Sequence, residues 1–263
     1  MFFFSLSSWQ LALLILAVVG AATLAGHMAG KSLRTHSGTL REPFGVLQGA
    51  LLGVVGLVLA FGLTLAVGRY QDRRAATVAE ANAIGTTYLR AQLIAEPARS
   101  LSLDALRRYT TLAVSVANEV PNSSGMRQTT RAEGVLQRRL WRLAGQAIAR
   151  APVASAPRLY VDSLNSTIDQ QSVRLSSLNN RVPGAVLTLE VVGAAVALGL
   201  LAMHISILGR GLAPMLVAAT LMTLLLLITF DLDRPRRGLI TVPATPLTDL
   251  RASMNLPPAA SAP

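Results

Sequence analysis

Four stretches of the chain are apolar on every face a helix would present: Leu11 to about Ala29, Gly49 to Gly68, Val186 to Ile207, and Leu212 to Phe230. Each is long enough to cross a hydrocarbon layer of roughly 30 Å, which takes about 20 residues at 1.5 Å apiece. Trp9 precedes the first at an interfacial position. Only Leu208-Gly209-Arg210-Gly211 separates the last two, which predicts a tight hairpin, and Pro214 falls in the first turn of the fourth, where its missing N–H does least harm. Between the second and third spans the pattern becomes amphipathic. Val78, Ala81, Ile84, Tyr88, Ala91 and Ile94 recur at three and four, as do Leu103, Leu106, Thr110, Ala113, Val116 and Val120, and then Leu136, Leu140, Leu143 and Ala147. Breaks fall at Glu96-Pro97, at Pro121 to Gly125 and at Ala151 to Pro157, and a more polar helix is expected from Arg158 to Asn180.

No breaker stands between Gly68 and Arg69, so the second span is expected to continue as one helix into the insert. The last 21 residues hold five prolines, and the tail after Arg237 is expected to be extended or disordered. The fold class is therefore an all-α integral membrane protein. Spans one and two occupy residues 1–68, a helical insert 69–183, a hairpin of spans three and four 184–230, and a Pro-rich tail 231–263. The residues before the first span, MFFFSLSSWQ, carry no basic charge, and the apolar run exceeds that of a secretion signal; a retained anchor is expected.

Composition agrees: 52% of the 263 residues are hydrophobic and 14% charged, well short of the ~25% charged residues of soluble domains. The net charge of +11 comes from 23 Arg and Lys31 against 13 acids. Near the membrane ends, one side would carry Arg69, Arg73, Arg74, Arg174, Arg181, Arg234, Arg236 and Arg237, and the other Lys31, Arg34, Arg41 and Arg210. That imbalance places both termini and residues 69–183 in the cytoplasm, and the Arg and Ala bias points to a bacterial inner membrane. No nucleic-acid motif accompanies the positive charge. Cysteine is absent, and His27, His36 and His204 are too scattered to pair, so neither thiol chemistry nor a Cys/His metal site is expected. No nucleophile elbow, HExxH or P-loop occurs; neither an enzyme nor a cofactor is expected.

Some positions carry more than packing requires. In the second span Gly49, Gly53, Gly56, Ala60 and Thr64 share a face that allows close helix approach. Leu57, Phe61 and Leu65, at i, i+4 and i+8, share another that would suit an apolar constriction. Glu190 is the one carboxylate inside an apolar run, read either as facing a cavity or as reaching the headgroups. Arg69-Tyr70-Gln71-Asp72-Arg73-Arg74 and Glu80 read as a salt-bridged helix. Asn82 and Gly85 weaken a helix by up to ~1 kcal/mol each, and imply a close crossing or a polar lining there. Asp231 and Asp233 form a weak Ca²⁺ candidate, against which stands local pairing with Arg234, Arg236 and Arg237.

Two of these segments carry a resemblance. Arg69-Tyr70-Gln71-Asp72-Arg73-Arg74, followed by Glu80-Ala81-Asn82-Ala83-Ile84-Gly85-Thr86 and Leu89-Arg90, resembles the signature of the bacterial bestrophin-like membrane family. The run Asp231-x-Asp233-Arg234-Pro235-x-x-Gly238-Leu239-Ile240 is similar to that family's close of the fourth span. The family is remotely similar to the bestrophins, pentameric chloride channels with the same order of two spans, helical insert, two spans and tail. The resemblance implies that the second span lines a pore with an apolar neck, matched in spacing by Leu57, Phe61 and Leu65. It also implies an acidic Ca²⁺ cluster after the last span; Asp231 and Asp233 match it in position, though a pair among arginines departs from an Asp-rich run.

The expected function is an oligomeric anion (chloride) channel or channel-like protein whose partners are lipid, further copies of itself and small anions. The alternative is a non-conducting scaffold or sensor that docks a protein or anionic lipid through Arg138, Arg139 and Arg142.

Overall fold

In the computed structural model, residues 7–34, 41–236 and 238–259 are described, so His36 and Arg237 lie outside the described residues. These residues form eight helices and no strand: α1 (Ser8–Leu33), α2 (Arg41–Ala91), α3 (Ala98–Asn118), α4 (Ser124–Arg150), α5 (Ser155–Asn179), α6 (Gly184–Ile207), α7 (Ala213–Leu232) and α8 (Thr245–Ser253). Four of them are long and apolar enough to cross a membrane. The chain divides into two compact units, Met1–Arg69 with Arg181–Ile240, and Tyr70–Asn180 with Thr241–Pro263.

In the first unit α1 starts ahead of its apolar run because Ser7 and Gln10 make a capping box. Ser7 Oγ accepts from the Gln10 N–H, and the Ser7 N–H donates to Gln10 Oε1 at 2.9 Å. α1 crosses α6 on small residues: a Cβ at Gly26 would stand 1.9 Å from the Gly199 carbonyl oxygen, and one at Gly30 2.4 Å from that of Met203. Such approaches let backbones touch where lipid gives no hydrophobic drive to associate. Near this crossing His27 Nδ1 meets Ser206 Oγ at 2.5 Å. The α6–α7 hairpin is tight as expected. Gly209 adopts φ +67° and donates to Ser206 O, while Arg210 donates to Ile205 O; this pair of hydrogen bonds closes a helix on a left-handed residue.

In the second unit the second half of α2 packs with α3, α4, α5 and α8 around Ile84, Leu106, Tyr109, Leu140, Tyr160 and Leu164. α2 runs without interruption through Arg69, as the missing breaker predicted. The tail corrects the expectation of disorder. Pro246 lies in the first turn of α8, where proline is tolerated, and Leu247 and Met254 are buried. Tyr88 Oη donates to the Met254 carbonyl at 3.1 Å, as does Arg107 Nε, and Arg107 also lies over the Tyr88 ring. Proline density is thus outweighed by an apolar stripe with a core to join.

Candidate functional site

At about 100° per residue, the first half of α2 presents three distinct faces. Val55, Leu59, Gly62 and Ala66 are buried. This face meets α6, where a Cβ on Gly193 would touch Val55 and one on Gly62 would fall on Glu190 Oε1. Glu190 is fully buried, and neither of its oxygens has a hydrogen-bond partner among the described residues, so it fits only because position 62 has no side chain. Of the two uses weighed for this acid, reaching headgroups is not what the structure shows.

The other two faces are open. Leu57, Phe61 and Leu65 are 56%, 62% and 43% exposed, whereas Leu59 between them is 3% exposed. Gly49, Gly53 and Gly56 have nothing within 4 Å of where a Cβ would stand, and Ala60 and Thr64 are exposed. Within the protomer, then, the close packing expected of the small face of α2 is not found; it occurs instead at Gly26, Gly30 and Gly199. The sequence offered the signal, since Gly26 and Gly30 stand four apart, but the denser run of glycines in the second span outweighed it.

The second half of α2 carries the charged motif, and its buried members all turn to α5. Arg73, 1% exposed, donates from Nε to Ser177 O at 3.3 Å and from Nη2 to Asn180 O at 3.0 Å, so it satisfies carbonyls at the end of α5 that have no partner in the helix. One heptad on, Glu80 pairs with Arg174 Nε. A further heptad on, Thr87 Oγ1 lies 2.8 Å from Thr167 Oγ1. At the far end Arg90 Nη1 meets Asp162 at 3.0 Å and the Leu159 carbonyl at 2.8 Å. The result is an antiparallel polar seam, with Arg73, Glu80 and Thr87 at seven-residue steps along one side. Gly85 serves a different contact, since its missing Cβ leaves room for Leu250 of α8. Asp72, Arg74, Asn82 and Thr86 are exposed.

The middle of the seam is a buried charge cluster. Arg174 is 2% exposed and stands between Glu80 and Glu133 of α4, both 0% exposed; its Nη2 lies 3.6 Å from Glu133 Oε1. Gln171 Nε2 donates to the other Glu133 oxygen at 2.6 Å, and Gln137 Nε2 donates to Gln171 at 2.8 Å and to Tyr109 Oη at 3.3 Å. Burial pushes Glu133 up to about 7, against the attraction of Arg174 and with the help of Glu80. Burial likewise raises Glu80, opposed by Arg174, and raises Tyr109. Two carboxyls share one guanidinium, and the cluster holds three helices together.

The two aspartates after the fourth span bind backbone. Asp231 accepts the N–H groups of Leu239 at 2.8 Å and Ile240 at 2.7 Å, and a Cβ on Gly238 would collide with its carboxylate. Asp233 Oδ1 accepts the Val182 N–H at 2.9 Å, just before α6 begins. Their geometry is that of two staples, and among the described residues no group of three acids, His or Cys is arranged to hold a metal.

The comparisons agree with this architecture. A family model described as the Bestrophin-like domain matches residues 12–247. The fold is similar to the crystal structure of a bacterial bestrophin homologue from Klebsiella pneumoniae, with a TM-score of 0.65 and 16% identity over 91% of this chain and 97% of that one. An isoleucine-to-threonine mutant of that homologue gives a TM-score of 0.67 at 14% identity with the same coverage. A further crystal structure, described as that of a membrane protein, gives 0.67 at 15% identity, again with the same coverage. Comparison with curated proteins gives no significant match.

Proposed function

The chain belongs to the bestrophin-like family, and from that premise we propose that it is an oligomeric anion channel, or a channel-like protein, of the bacterial inner membrane. In this reading α2 surrounds the axis of a homo-oligomer. Leu57, Phe61 and Leu65 form an apolar neck, and Gly49, Gly53, Gly56 and Ala60 let neighbouring helices approach. The observation that carries the reading is the exposure of Leu57, Phe61 and Leu65 on a helix whose opposite face is closed by α6. Large apolar side chains aligned over two turns need either lipid or one another, and a ring of them gates by excluding water.

The insert, 69–183, is assigned to the cytoplasm together with both termini. Arg73 and Arg174 are buried in the seam and Arg234 after the fourth span is 2% exposed, which takes three of the eight cations counted on that side and leaves five against four. The insert holds 16 Arg and 8 acids, a balance that would raise the local concentration of anions. The test is chloride efflux from liposomes holding the purified protein, wild type against Phe61→Ala. Chloride-selective efflux that the substitution increases fits the neck. Folded, oligomeric protein that passes no chloride in either form sinks it.

A second reading has its own support on α4. Trp141 is 48% exposed and Val135 56%, beside Arg138 and Arg142, and together they line a groove of about 550 Å³ with Ile168. That surface suits an acidic partner, as a non-conducting scaffold or sensor would require, and it is the reading to adopt if efflux fails.

A further inference from the structure

The buried charge cluster of the second unit does not end at its acids. On α4, Glu133, Gln137 and Trp141 stand at four-residue steps, and on α5, Arg174, Gln171 and Ile168 stand at three-residue steps in the opposite sense. Two facing rows therefore lead from the cluster to the surface. The inner half of this path is a chain of hydrogen bonds. Gln137 Nε2 donates to Gln171 Oε1 at 2.8 Å, and Gln171 Nε2 donates to Glu133 Oε2 at 2.6 Å. The outer half is the hollow of about 550 Å³, which Gln137 lines together with Val135, Arg138, Trp141, Arg142 and Ile168. Gln137 belongs to both halves.

The hollow suits a carboxylate on an apolar stem. Arg138 and Arg142 are exposed, and neither has a hydrogen bond or ion pair with another described residue. Glu133 is the only acid of α4 and is buried, so no carboxylate of that helix neutralises them. Val135, Trp141 and Ile168 add an apolar wall, and Trp and Arg are the residues that most often dominate contacts between proteins. An inorganic anion would use the arginines and leave that wall idle. A peptide segment carrying both carboxylates and apolar side chains uses both.

The chain of amides has a direction. An ionised carboxylate only accepts, so Glu133 without a proton orders both amides with their NH2 groups inward and leaves the Gln137 carbonyl to the hollow. With a proton, Glu133 donates to Gln171 Oε1, Gln171 Nε2 donates to Gln137 Oε1, and the Gln137 NH2 turns to the hollow. Tyr109 Oη, 3.3 Å from Gln137 Nε2, both donates and accepts and serves either order. The proton belongs on Glu133 and not on Glu80, because Arg174 holds Glu80 more closely, through Nε, and stands 3.6 Å from Glu133 Oε1. Burial first, then the charges of Glu80 on α2 and Glu119 on α3, push Glu133 up to about 7 against Arg174 and Gln171. Arg131, two residues away on α4, is exposed.

We propose that the α4 hollow docks an acidic, partly apolar peptide segment of a partner protein, and that a proton on Glu133 strengthens docking by reversing the Gln171–Gln137 chain, so that Gln137 joins Arg138 and Arg142 as a donor. This rests on the docking reading of α4 and not on conduction. By linkage, an occupied hollow also makes Glu133 hold its proton more tightly.

Trp141 is the reporter. The chain has two tryptophans, so Trp9→Phe leaves one indole. The full chain with that substitution, in a non-ionic detergent, is titrated with a blocked peptide of leucine and glutamate in equal number, and with its leucine–glutamine counterpart. A donor in place of an acceptor at a carboxylate is worth roughly ten-fold in affinity. With Glu133 only partly exchanged at either end, this reads as about five-fold tighter binding of the glutamate peptide at about pH 6 than at about pH 8. Glu133→Gln, with no proton to exchange, should bind equally at both. Gln137→Ala, nearer the surface, should do the same, and it decides if Glu133→Gln does not fold. Replacing Arg138 and Arg142 together by glutamine should abolish binding at both pH values while the thermal midpoint and oligomeric mass stay at wild-type values. Wild-type affinity that ignores pH, or a pH dependence that survives Gln137→Ala, overturns the proposal and leaves the docking reading standing. No response of Trp141 to the glutamate peptide, or an equal response to the glutamine peptide, overturns both. A change of oligomeric mass on loss of the two arginines also overturns it, by assigning the face to a second copy.

Discussion

Replacing Arg174 by methionine keeps an unbranched apolar stem and removes the one cation between Glu80 and Glu133. Both acids are 0% exposed, so neither gains water when the guanidinium goes. Breaking a buried pair from one side leaves an uncompensated charge and costs about 3–5 kcal/mol. At ~2–4 °C per kcal/mol for a chain of this size, the apparent thermal midpoint should fall by roughly 6–20 °C at neutral pH. The loss should also depend on pH. Burial already pushes Glu133 up to about 7 and raises Glu80, with Arg174 opposing both shifts; without Arg174 both rise further. A carboxyl that holds its proton more tightly folded than unfolded adds stability that is complete below its unfolded value near 4.5 and is lost as pH rises through its folded value. The difference between Arg174→Met and wild type should therefore be small in acid, where both folded forms hold the proton, and open as pH rises through about 7, where wild-type Glu133 releases its proton and the variant does not. The assay is unfolding of the detergent-solubilised protein at one fixed scan rate across that range. A deficit of the same size in acid and at neutrality would refute the triad as an electrostatic unit, and so would a drop of less than about 2 °C at pH 7.

Glu133→Gln should flatten the fall in wild-type stability between pH 4.5 and about 7, a slope worth at most about 3 kcal/mol from this group, in the same unfolding assay. Gly26→Val puts a branched side chain onto the Gly199 carbonyl; its midpoint should fall by the upper end of the ~1–3 kcal/mol range for overpacking or more, while Gly20→Val, with open space about it, should stay near wild type.

Much of the fold was legible because membrane spans need only length and apolarity, and the insert's helices carry plain 3.6-residue stripes. The continuity of α2 followed from the absence of any proline or turn cluster around Arg69, Gly68 alone being too little to end a helix. Partners distant in sequence were the harder part. In sequence the cations nearest Glu80 are Arg73 and Arg74, six or seven residues away, but its partner Arg174 stands on another helix and Arg73 serves the carbonyls of Ser177 and Asn180. Backbone donors carry no side-chain signature, so for Asp231 and Asp233 the sequence offers only a weak Ca²⁺ site or pairing with nearby arginines, and not the Leu239, Ile240 and Val182 N–H groups that they accept. In the tail, a count of prolines concealed Leu247 and Met254, whose burial depends on a core built from α2 and α3.

The claim at the centre is that the Leu57–Phe61–Leu65 face of α2 borders the anion path. The chain contains no cysteine, so single substitutions report without background. Phe61→Cys and, on the buried face, Leu59→Cys are to be compared in chloride-loaded liposomes before and after a membrane-impermeant, positively charged thiol reagent. The account predicts that the reagent changes chloride efflux through Phe61→Cys and leaves Leu59→Cys and wild type as they were. Efflux through Phe61→Cys that is unchanged after complete labelling would place the path elsewhere.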